Sequence, residues 1–392
     1  MGIRNGEYMT SRRLFTSRHV SRTSCRSAAL KATSIALVAC CTNLAVSTVA
    51  VSGSTRPHRK LTPLQKGLAF YKGQTITVID SGTVGGPYDL YARVIMPYIA
   101  EYLHASFKVE DISIANGVPG MNQAAAASPT GLTAGVFQQF TSISHLVAGV
   151  QGLNFNVERL AWIAGDGLST QVLVASASSG ITSVAELMSA SKTAANSGTP
   201  ISMILGANGS LVSAVPQAVL GVLGIHLHFI PGYPSVSVEA TGLERGDAPL
   251  TFLPSSIIGP LITGGKAKAL AITGKIPLGT LYRGVESSAP TFAQLFRKYP
   301  PKTKAQKAQA SSVEDITSLP SGLLALQTGV AGYKVDAMRA AAIWAEKRPG
   351  FRSQMLSYSL NPKVYNPVTA KSAFIKSIKE ETSLGCFLAG TC

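Results

Sequence analysis

One stretch, Thr75 to Leu103, constrains the fold of this chain more than any other. The β-branched run Thr75–Ile79 predicts a buried strand, and the loop Asp80–Pro87, which holds three glycines, separates it from a helical pattern. Glycine has no Cβ, so the backbone at Gly85 and Gly86 can turn sharply and let a ligand approach its N–H groups. The helix start adds N–H groups without intrahelical partners at the positive end of its dipole. The stretch therefore indicates either a small anion site or a plain strand-to-helix turn in an α/β core.

The same order of strand, loop and helix recurs along the chain. Further strands are predicted at residues 112–114, 133–137, 160–165, 171–175, 201–205, 225–230, 248–253 and 267–273. Such alternation favours parallel sheets flanked by helices, and ligands on such sheets bind beyond the carboxyl ends of the strands. Gln138 and Gln139 follow one strand, where their amides either contact a ligand or lie on the surface. Another strand ends in Gly206 to Ser210, which repeats the pattern of the first loop, with Ser210 as a natural N-cap.

Residues 1–53 predict an export leader rather than part of the fold. A basic start rich in Ser and Thr precedes a charge-free stretch from Ala32 to Thr55. Twin-arginine and general secretory export remain alternatives, because the arginine pair lies far from the apolar part. Leu37–Cys40 resembles a lipobox that would put a lipid on Cys40, whereas cleavage near Ala50 or an uncleaved anchor are the other possibilities. We expect an exported protein of the periplasm or cell envelope, with or without a lipid anchor.

The cysteines agree with an oxidising compartment. Three of the five cysteines fall in the leader, which leaves Cys386 and Cys392 in the mature chain. A pair six residues apart predicts a small C-terminal disulfide loop, and two free thiols on a frayed tail are the alternative.

The net charge of +16 favours anionic ligands or an anionic envelope over nucleic acid. The leader holds seven basic residues against one acidic residue, so about +10 remains on the rest. A nucleic-acid surface needs basic residues interleaved with aromatic ones on one element, and the sequence has no such pattern. The densest basic run has Pro, Gln and Ala neighbours that favour a solvated loop. Its members are Arg297, Lys298, Lys302, Lys304 and Lys307.

Common signatures of catalysis are missing from the sequence. It has no Gly-x-Ser-x-Gly elbow, no His-Glu-x-x-His and no Cys-x-x-Cys. We therefore predict a binding protein with no catalytic residue and no cofactor, and keep an exported hydrolase as the alternative. His226 and His228 would point to one face of a strand, but no third ligand is near them, so no metal site is predicted.

Six segments carry a family resemblance through their order and spacing. They are Gly85–Arg93, Asn116–Gly120, Gly206–Ser210, Phe229–Tyr233, Gly246–Asp247 and Gly264–Thr273. Across residues 73–296 the chain resembles the substrate-binding receptors of tripartite tricarboxylate transporters, also called Bug receptors. Two features depart from the family pattern: no proline precedes the glycine pair, and the region Lys298–Gly322 is longer and more basic.

The resemblance implies a fold of class α/β, the two-lobed type II periplasmic-binding-protein fold. Each lobe would be a mainly parallel sheet flanked by helices, and a hinge would join the lobes. Lobe 1 would comprise residues 73–170 plus 268–392, and lobe 2 residues 171–267. The strand at Ala267–Thr273 would return to lobe 1, with hinge crossings near Thr170–Val172 and Gly264–Lys268.

The resemblance also implies a function, the binding of a small carboxylate between the lobes. A monomeric receptor would deliver this ligand to the permease subunits of a membrane transporter, unless it is a sensory or scaffold protein that kept the fold. The ligand contacts implied by the resemblance are Val84, Gly85, Gly86, Tyr88, Asp89, Asn208, Gly209 and Ser210, and the residue patterns themselves add Gln138 and Tyr233. Two of them have alternatives: Asp89 would only balance the helix dipole, and Tyr233 would only pack as an aromatic at the rim.

Overall fold

The computed structural model describes residues 60–139, 142, 152–165, 170–206, 211–274, 289–318, 320 and 322–380. Three predicted features lie outside these residues: the leader with Cys40, the loop Asn208–Ser210, and the pair Cys386 and Cys392. For those features the sequence interpretation stays a prediction.

The described residues form ten strands and twelve α-helices. The strands are β1 (Thr75–Asp80), β2 (Ser106–Asp111), β3 (Thr133–Gln138), β4 (Ala161–Gly165), β5 (Gln171–Ser176), β6 (Ser202–Ile204), β7 (His228–Ile230), β8 (Leu250–Pro254), β9 (Ala267–Ile272) and β10 (Gly322–Leu326). The helices are α1 (Pro63–Tyr71), α2 (Pro87–Leu103), α3 (Val118–Ala126), α4 (Val184–Asn196), α5 (Leu211–Val222), α6 (Val236–Arg245), α7 (Ser255–Thr263), α8 (Phe292–Lys298), α9 (Lys304–Ser318), α10 (Gly332–Glu346), α11 (Pro349–Ser357) and α12 (Pro367–Glu380).

The strands form two five-stranded sheets with the same layout. Their strand orders are β2-β1-β3-β10-β4 and β7-β6-β8-β5-β9. In each sheet the first three strands are parallel, whereas the fourth is antiparallel to both of its neighbours. The predicted α/β class and two-sheet architecture are confirmed. The sheets are mixed rather than mainly parallel, because half of the strand pairs among the described residues are antiparallel.

The direction of β5 and β10 follows from how the chain passes between the sheets. β4 ends with Gly165 at the carboxyl edge of the first sheet, and β5 starts with Gln171, opposite Pro254 at the carboxyl edge of the second. A chain that enters a sheet at its carboxyl edge must run against the parallel strands. β10 enters the first sheet in the same way, since Gly322 lies opposite Gln138, the last residue of β3.

The strand predicted to return to the first lobe does not do so. β9 pairs with β5 in the second sheet, where Ile272 lies opposite Val172. The turn at Gly264–Lys268 therefore connects two elements of the second sheet and is not a crossing between the sheets. The predicted lobe boundary between residues 267 and 268 is wrong as well, because β9 belongs to the second sheet. An apolar strand pattern reports burial but does not report which of two sheets buries the strand. The chain returns to the first sheet at β10.

A second difference concerns β2, which precedes the predicted strand at 112–114. β2 lies at the edge of the first sheet, and its residues are only half-buried or exposed. The isoleucines that suggested a strand follow its end. An edge strand leaves a weak hydrophobic pattern, so the apolar residues next to it dominated the prediction.

The basic region after Lys298 is not a solvated loop along its whole length, because it contains the packed helix α9. α9 packs against α5 and α12, and its Val313 and Ile316 are fully buried. The hydrophobic cluster around these two residues includes Phe137 of the first sheet and Phe252 of the second. α9 therefore contributes to a core that both sheets share, while its lysines remain exposed.

None of the helices within the described residues combines the length and the apolar character that a membrane span requires.

Candidate functional site

The covalent chain keeps the carboxyl edges of the two sheets close. Only five peptide units separate Gly165 of β4 from Thr170, which precedes β5, and a fully extended chain of that length reaches about 18 Å. The Thr170 carbonyl accepts a 2.8 Å hydrogen bond from the N–H of Ser255, the first residue of α7. The carboxyl edges of the two sheets are therefore joined at Gly165 and Thr170 by a segment that spans at most about 18 Å.

The first glycine loop forms a tight turn over Thr83 to Gly86. The Gly86 N–H donates a 2.7 Å hydrogen bond to the Thr83 carbonyl, and Gly85 has a φ of 74°. A positive φ at the third position of such a turn is the type II geometry, which favours glycine. At Gly86 a Cβ would lie 2.7 Å from the Thr83 oxygen. Both glycines are therefore required by the turn, and Pro87 then starts α2 directly after it.

Asp89, on the first turn of α2, holds this loop in place. The side chain is only 2% exposed. Its Oδ2 accepts a 2.8 Å hydrogen bond from the Gly85 N–H, and its Oδ1 accepts one of 2.6 Å from Arg93 Nε. Arg93 Nη2 in turn donates to both carboxylate oxygens of Asp111, at 2.8 and 3.0 Å. The geometry supports the helix-start role of Asp89, because the groups that we expected to contact a ligand contact one another.

Asp80, the last residue of β1, lies beside this network and is fully buried. Its Oδ1 accepts a hydrogen bond from the Gly82 N–H, whereas Oδ2 has no partner in the described part of the chain. Burial raises the pKa of Asp80 to about 7, and the nearby carboxylates of Asp89 and Asp111 add to the rise. Oxygens of these three carboxylates lie within 4.8 Å of one another. Because the Arg93 guanidinium already pairs with two of them, the cluster gives no reason to propose a metal ion.

Gln138 meets the loops that follow β1 and β2. Its Nε2 donates a 2.6 Å hydrogen bond to the Ser81 carbonyl. Gly117, in the turn after β2, has a φ of 77°, and a Cβ there would lie 2.2 Å from the Ser81 oxygen and 2.5 Å from Gln138 Nε2. The structure thus brings the ends of three parallel strands together at one point.

Gln139 is the next residue and is fully buried. Neither its Oε1 nor its Nε2 has a hydrogen-bond partner among the described residues. At the second sheet the hydroxyl oxygens of Ser255 and Ser256 are likewise buried without a partner. A buried polar group without a partner costs about 1 to 3 kcal/mol, so such atoms at strand ends are candidates for contact with a bound polar molecule.

Gly206, the first residue of the second glycine loop, lies beside a buried acid that the sequence analysis missed. Gly206 follows β6, and a Cβ there would lie 3.1 Å from Glu239 Oε1 of α6. Glu239 is 3% exposed, and burial raises its pKa to about 8, although the Thr251 hydroxyl lowers it in part. Glu239 is therefore largely protonated at neutral pH. A single glutamate in a helix is usually a surface residue, so no sequence signal marked it.

Tyr233 lies in the loop between β7 and α6. Its hydroxyl donates a 2.7 Å hydrogen bond to Oδ2 of Asp247, the same oxygen that pairs with Arg245. The ring packs closely on Gly242, where a Cβ would lie 2.7 Å from Tyr233 Cε1. These contacts support the packing role of Tyr233 more than a direct hydrogen bond to a ligand.

Solved structures similar to this chain are solute-binding proteins. The periplasmic binding protein BugD is 18% identical, with a TM-score of 0.63 over 82% of this chain and 99% of that chain. MatC from Rhodopseudomonas palustris with bound malate is 18% identical, with a TM-score of 0.60 over 80% and 99%. R. palustris Rpa4515 with adipate is 16% identical, with a TM-score of 0.63 over 81% and 97%. The fold is that of a periplasmic solute-binding protein. No protein-family model and no curated protein sequence matches the chain.

Within this periplasmic solute-binding fold, the expected contacts of the first loop differ in exposure. Val84 lies at the tip of the turn and is 60% exposed, whereas Tyr88 is half-buried with its Cβ against Gly82. Gln138 is half-buried at the junction of the strand ends. The solute-binding fold therefore presents one apolar side chain and several polar groups at the carboxyl edge of the first sheet.

Proposed function

We propose that this protein is an exported solute-binding protein that captures a small organic acid between its two sheets. The observation that carries the proposal is the shared fold, which covers nearly all of MatC and Rpa4515, two proteins solved with the dicarboxylates malate and adipate. The net positive charge of the chain supports an anionic ligand. The short link between the carboxyl edges of the two sheets supports a site that both sheets share.

The proposed contacts divide into two groups by sheet. On the first sheet, the outer surface of the turn Thr83–Gly86, which Asp89 holds in shape, and the side-chain amide of Gln139 would contact the ligand. On the second sheet, the loop after Gly206 and the hydroxyls at the start of α7 complete the site. The full set of proposed contacts is Val84, Gly85, Gly86, Tyr88, Gln138, Gln139, Asn208, Gly209, Ser210, Tyr233, Ser255 and Ser256.

The proposal includes a partner and a place of action. The loaded monomer delivers its ligand to the permease subunits of a tripartite tricarboxylate-type transporter in the periplasm or cell envelope. Closure bends the two crossings, one between β4 and β5 and the other between α9 and β10. The proposal also keeps residues 1–53 as the export leader, Cys40 as the lipid attachment site of an anchored form, and a disulfide between Cys386 and Cys392.

A ligand panel tests this function. Thermal melts of the full chain with malate, adipate, citrate, acetate and glutamate should show a rise in Tm for at least one of the acids. A ligand at a hundred times its Kd stabilises the folded state by about 2.7 kcal/mol. The bound acid should be recovered unchanged after hours of incubation, as expected for a receptor. The absence of a shift with every acid would contradict the proposal.

Two variants locate the ligand. Gln139→Leu removes a buried amide that has no hydrogen-bond partner among the described residues, and it should weaken the binding of the active acid about tenfold. Gln354→Leu changes an exposed glutamine on α11 and should leave the affinity unchanged. Equal affinities of the two variants would show that the ligand does not bind at the end of β3.

A further inference from the structure

A groove on the second sheet's helices lies apart from the candidate ligand site. It consists of two adjoining cavities of about 480 and 400 Å³ that share Met188 and Gly224. α4, the end of α5 and the segment between α8 and α9 form its walls. We call it the α4–α9 groove.

The α4–α9 groove is at the amino edge of the second sheet. α5 starts five residues after Gly206, at the carboxyl edge, and ends at Val222, which lines the groove. Its 12 residues span about 18 Å, so the groove and the loop after β6 lie at opposite ends of one helix. A ligand between the sheets does not occupy the groove.

The floor of the groove is apolar and includes an aromatic ring. Met188 and Leu223 line it from the helices, and Tyr299, Pro300 and Pro301 line it from the segment between α8 and α9. Proline fixes φ, so Pro300 and Pro301 restrict the conformations of that segment before any partner binds. The floor therefore offers a preformed surface for apolar side chains.

The rim of the groove is cationic. Lys192, Lys298 and Lys302 line it, and none of the described residues that line either cavity is acidic. None of these lysines is in an ion pair within the described residues. Three further exposed cations lie nearby in the sequence: Arg297 on α8, and Lys304 and Lys307 on α9. Two members of the basic run, Lys298 and Lys302, therefore line a concave surface.

We propose that the α4–α9 groove is a docking site for an acidic peptide segment of a partner protein, one that carries apolar side chains between its carboxylates. Carboxylates would pair with the lysines of the rim while apolar side chains fill the floor. The interface would be formed by charge complementarity, which raises the rate and selectivity of association.

Other occupants match the groove less well. The chain's own residues 1–59 are basic, and a second copy carries the same net charge of +16, so both would be repelled by the rim. A lipid bilayer is flat on this scale and would leave the concave floor empty. Nucleic acid would use the lysines but would bring no aliphatic side chains to Met188 and Leu223.

A binding experiment with defined polymers tests the proposal on the full chain. The probes are a random glutamate–tyrosine copolymer, polyglutamate, phosphatidylglycerol vesicles and single-stranded DNA. The copolymer should bind more tightly than polyglutamate, and its binding should weaken as salt rises. Tighter binding of vesicles or DNA than of the copolymer would overturn the proposal, as would the absence of copolymer binding.

Two matched triple variants distinguish binding in the groove from a general effect of net charge. The triple substitution Lys192→Glu, Lys298→Glu and Lys302→Glu should weaken copolymer binding at least about tenfold. A control triple variant makes the same change in net charge at exposed sites elsewhere, through Lys72→Glu, Lys268→Glu and Lys347→Glu. It should alter the affinity for the copolymer by less than about twofold. Equal losses in the two triple variants would overturn the proposal.

A third variant addresses the floor. Met188→Gln keeps the length of a half-buried side chain but makes it polar. The affinity for the copolymer should fall about threefold, while the affinity for polyglutamate stays the same. Unchanged Tm values would show that all three variants are folded. The test of the groove is independent of the test of the acid-binding site. Any acid that raises the Tm of the parent protein should raise the Tm of every groove variant as well.

Discussion

The N–H of Gly85 donates a 2.8 Å hydrogen bond to Oδ2 of Asp89. The positive end of α2 and the glycine turn therefore hold a carboxylate that belongs to the chain itself. Because Arg93 binds the other oxygen, Asp89 cannot leave without breaking a second contact at 2.6 Å. The loop is thus preorganised, and a ligand meets a turn whose shape is already fixed.

Asp89→Asn should loosen this turn. The substitution keeps the size of the side chain but removes the charge that Gly85 and Arg93 bind, so the free energy of unfolding should fall by about 1 to 3 kcal/mol. Urea denaturation measures it. Asp336→Asn, at an exposed position in α10, serves as the control and should change stability by less than about 0.5 kcal/mol. An equal effect of both substitutions would show that the loop does not depend on Asp89.

Gly117→Ala should disrupt the junction of the three strand ends. A Cβ there would lie 2.2 Å from the Ser81 oxygen, and the φ of 77° disfavours alanine. Gly73→Ala is a matched control, because its φ of 74° is nearly the same and no atom lies within 4 Å of its Cβ. We expect a loss of about 1 kcal/mol at Gly73 and about 3 kcal/mol or more at Gly117 in urea denaturation. Similar losses of stability in the two variants would mean that the close approach of Gly117 to the Ser81 carbonyl does not contribute to stability.

Glu239 should make stability depend on pH. Its pKa is about 8 in the folded protein against an ordinary 4.5, so the folded state retains a proton that the unfolded state has lost between these values. The contribution of Glu239 to stability is therefore full at low pH and falls as pH rises from about 4.5 to about 8.

Glu239→Gln removes this pH dependence, which is the measurable consequence. The stability of the variant relative to the parent protein should rise with pH across that window, with a limiting slope of about 1.4 kcal/mol per pH unit, and then level off. Glu101→Gln, at an exposed position in α2, is the control and should show no such rise. A flat difference between parent and Glu239→Gln would contradict a protonated Glu239.

Gln139 and Gln327 should respond in opposite ways to the same substitution. Both are buried, but Gln327 Nε2 donates a 2.8 Å hydrogen bond to the Ala124 carbonyl, whereas both amide atoms of Gln139 are without partners among the described residues. Gln327→Leu should cost about 1 to 2 kcal/mol of stability and leave ligand affinity unchanged. Gln139→Leu should leave stability nearly unchanged or raise it, while the affinity for the acid falls. Denaturation and calorimetric titration of both variants measure this contrast.

Local patterns in the sequence predicted much of the fold. The β-branched run before Asp80, the glycine turn and the helix after Pro87 were all predicted and are confirmed by β1, the turn at Thr83–Gly86 and α2. These elements depend on residues that are neighbours in the chain. The two-lobed class followed from the family resemblance, which rests on the order of six such local segments.

Long-range partners could not be predicted in the same way. The sheet to which β9 belongs depends on pairing with β5, about a hundred residues earlier, and no local pattern encodes that choice. The partners of Asp89 and Tyr233 are likewise set by side-chain packing, and each proved to be another residue of the chain. Glu239 was missed because its burial comes from β6 and β8 rather than from its own helix.

The central claim is that one small acid binds to the loops of both sheets at once. Hydrogen exchange measured by mass spectrometry tests it most directly, with and without the acid that raises Tm most. The account predicts slower exchange in two peptides together, one covering residues 81–93 and the other covering residues 205–215. Protection of only one of these peptides, or of neither, would contradict a site shared by the two sheets.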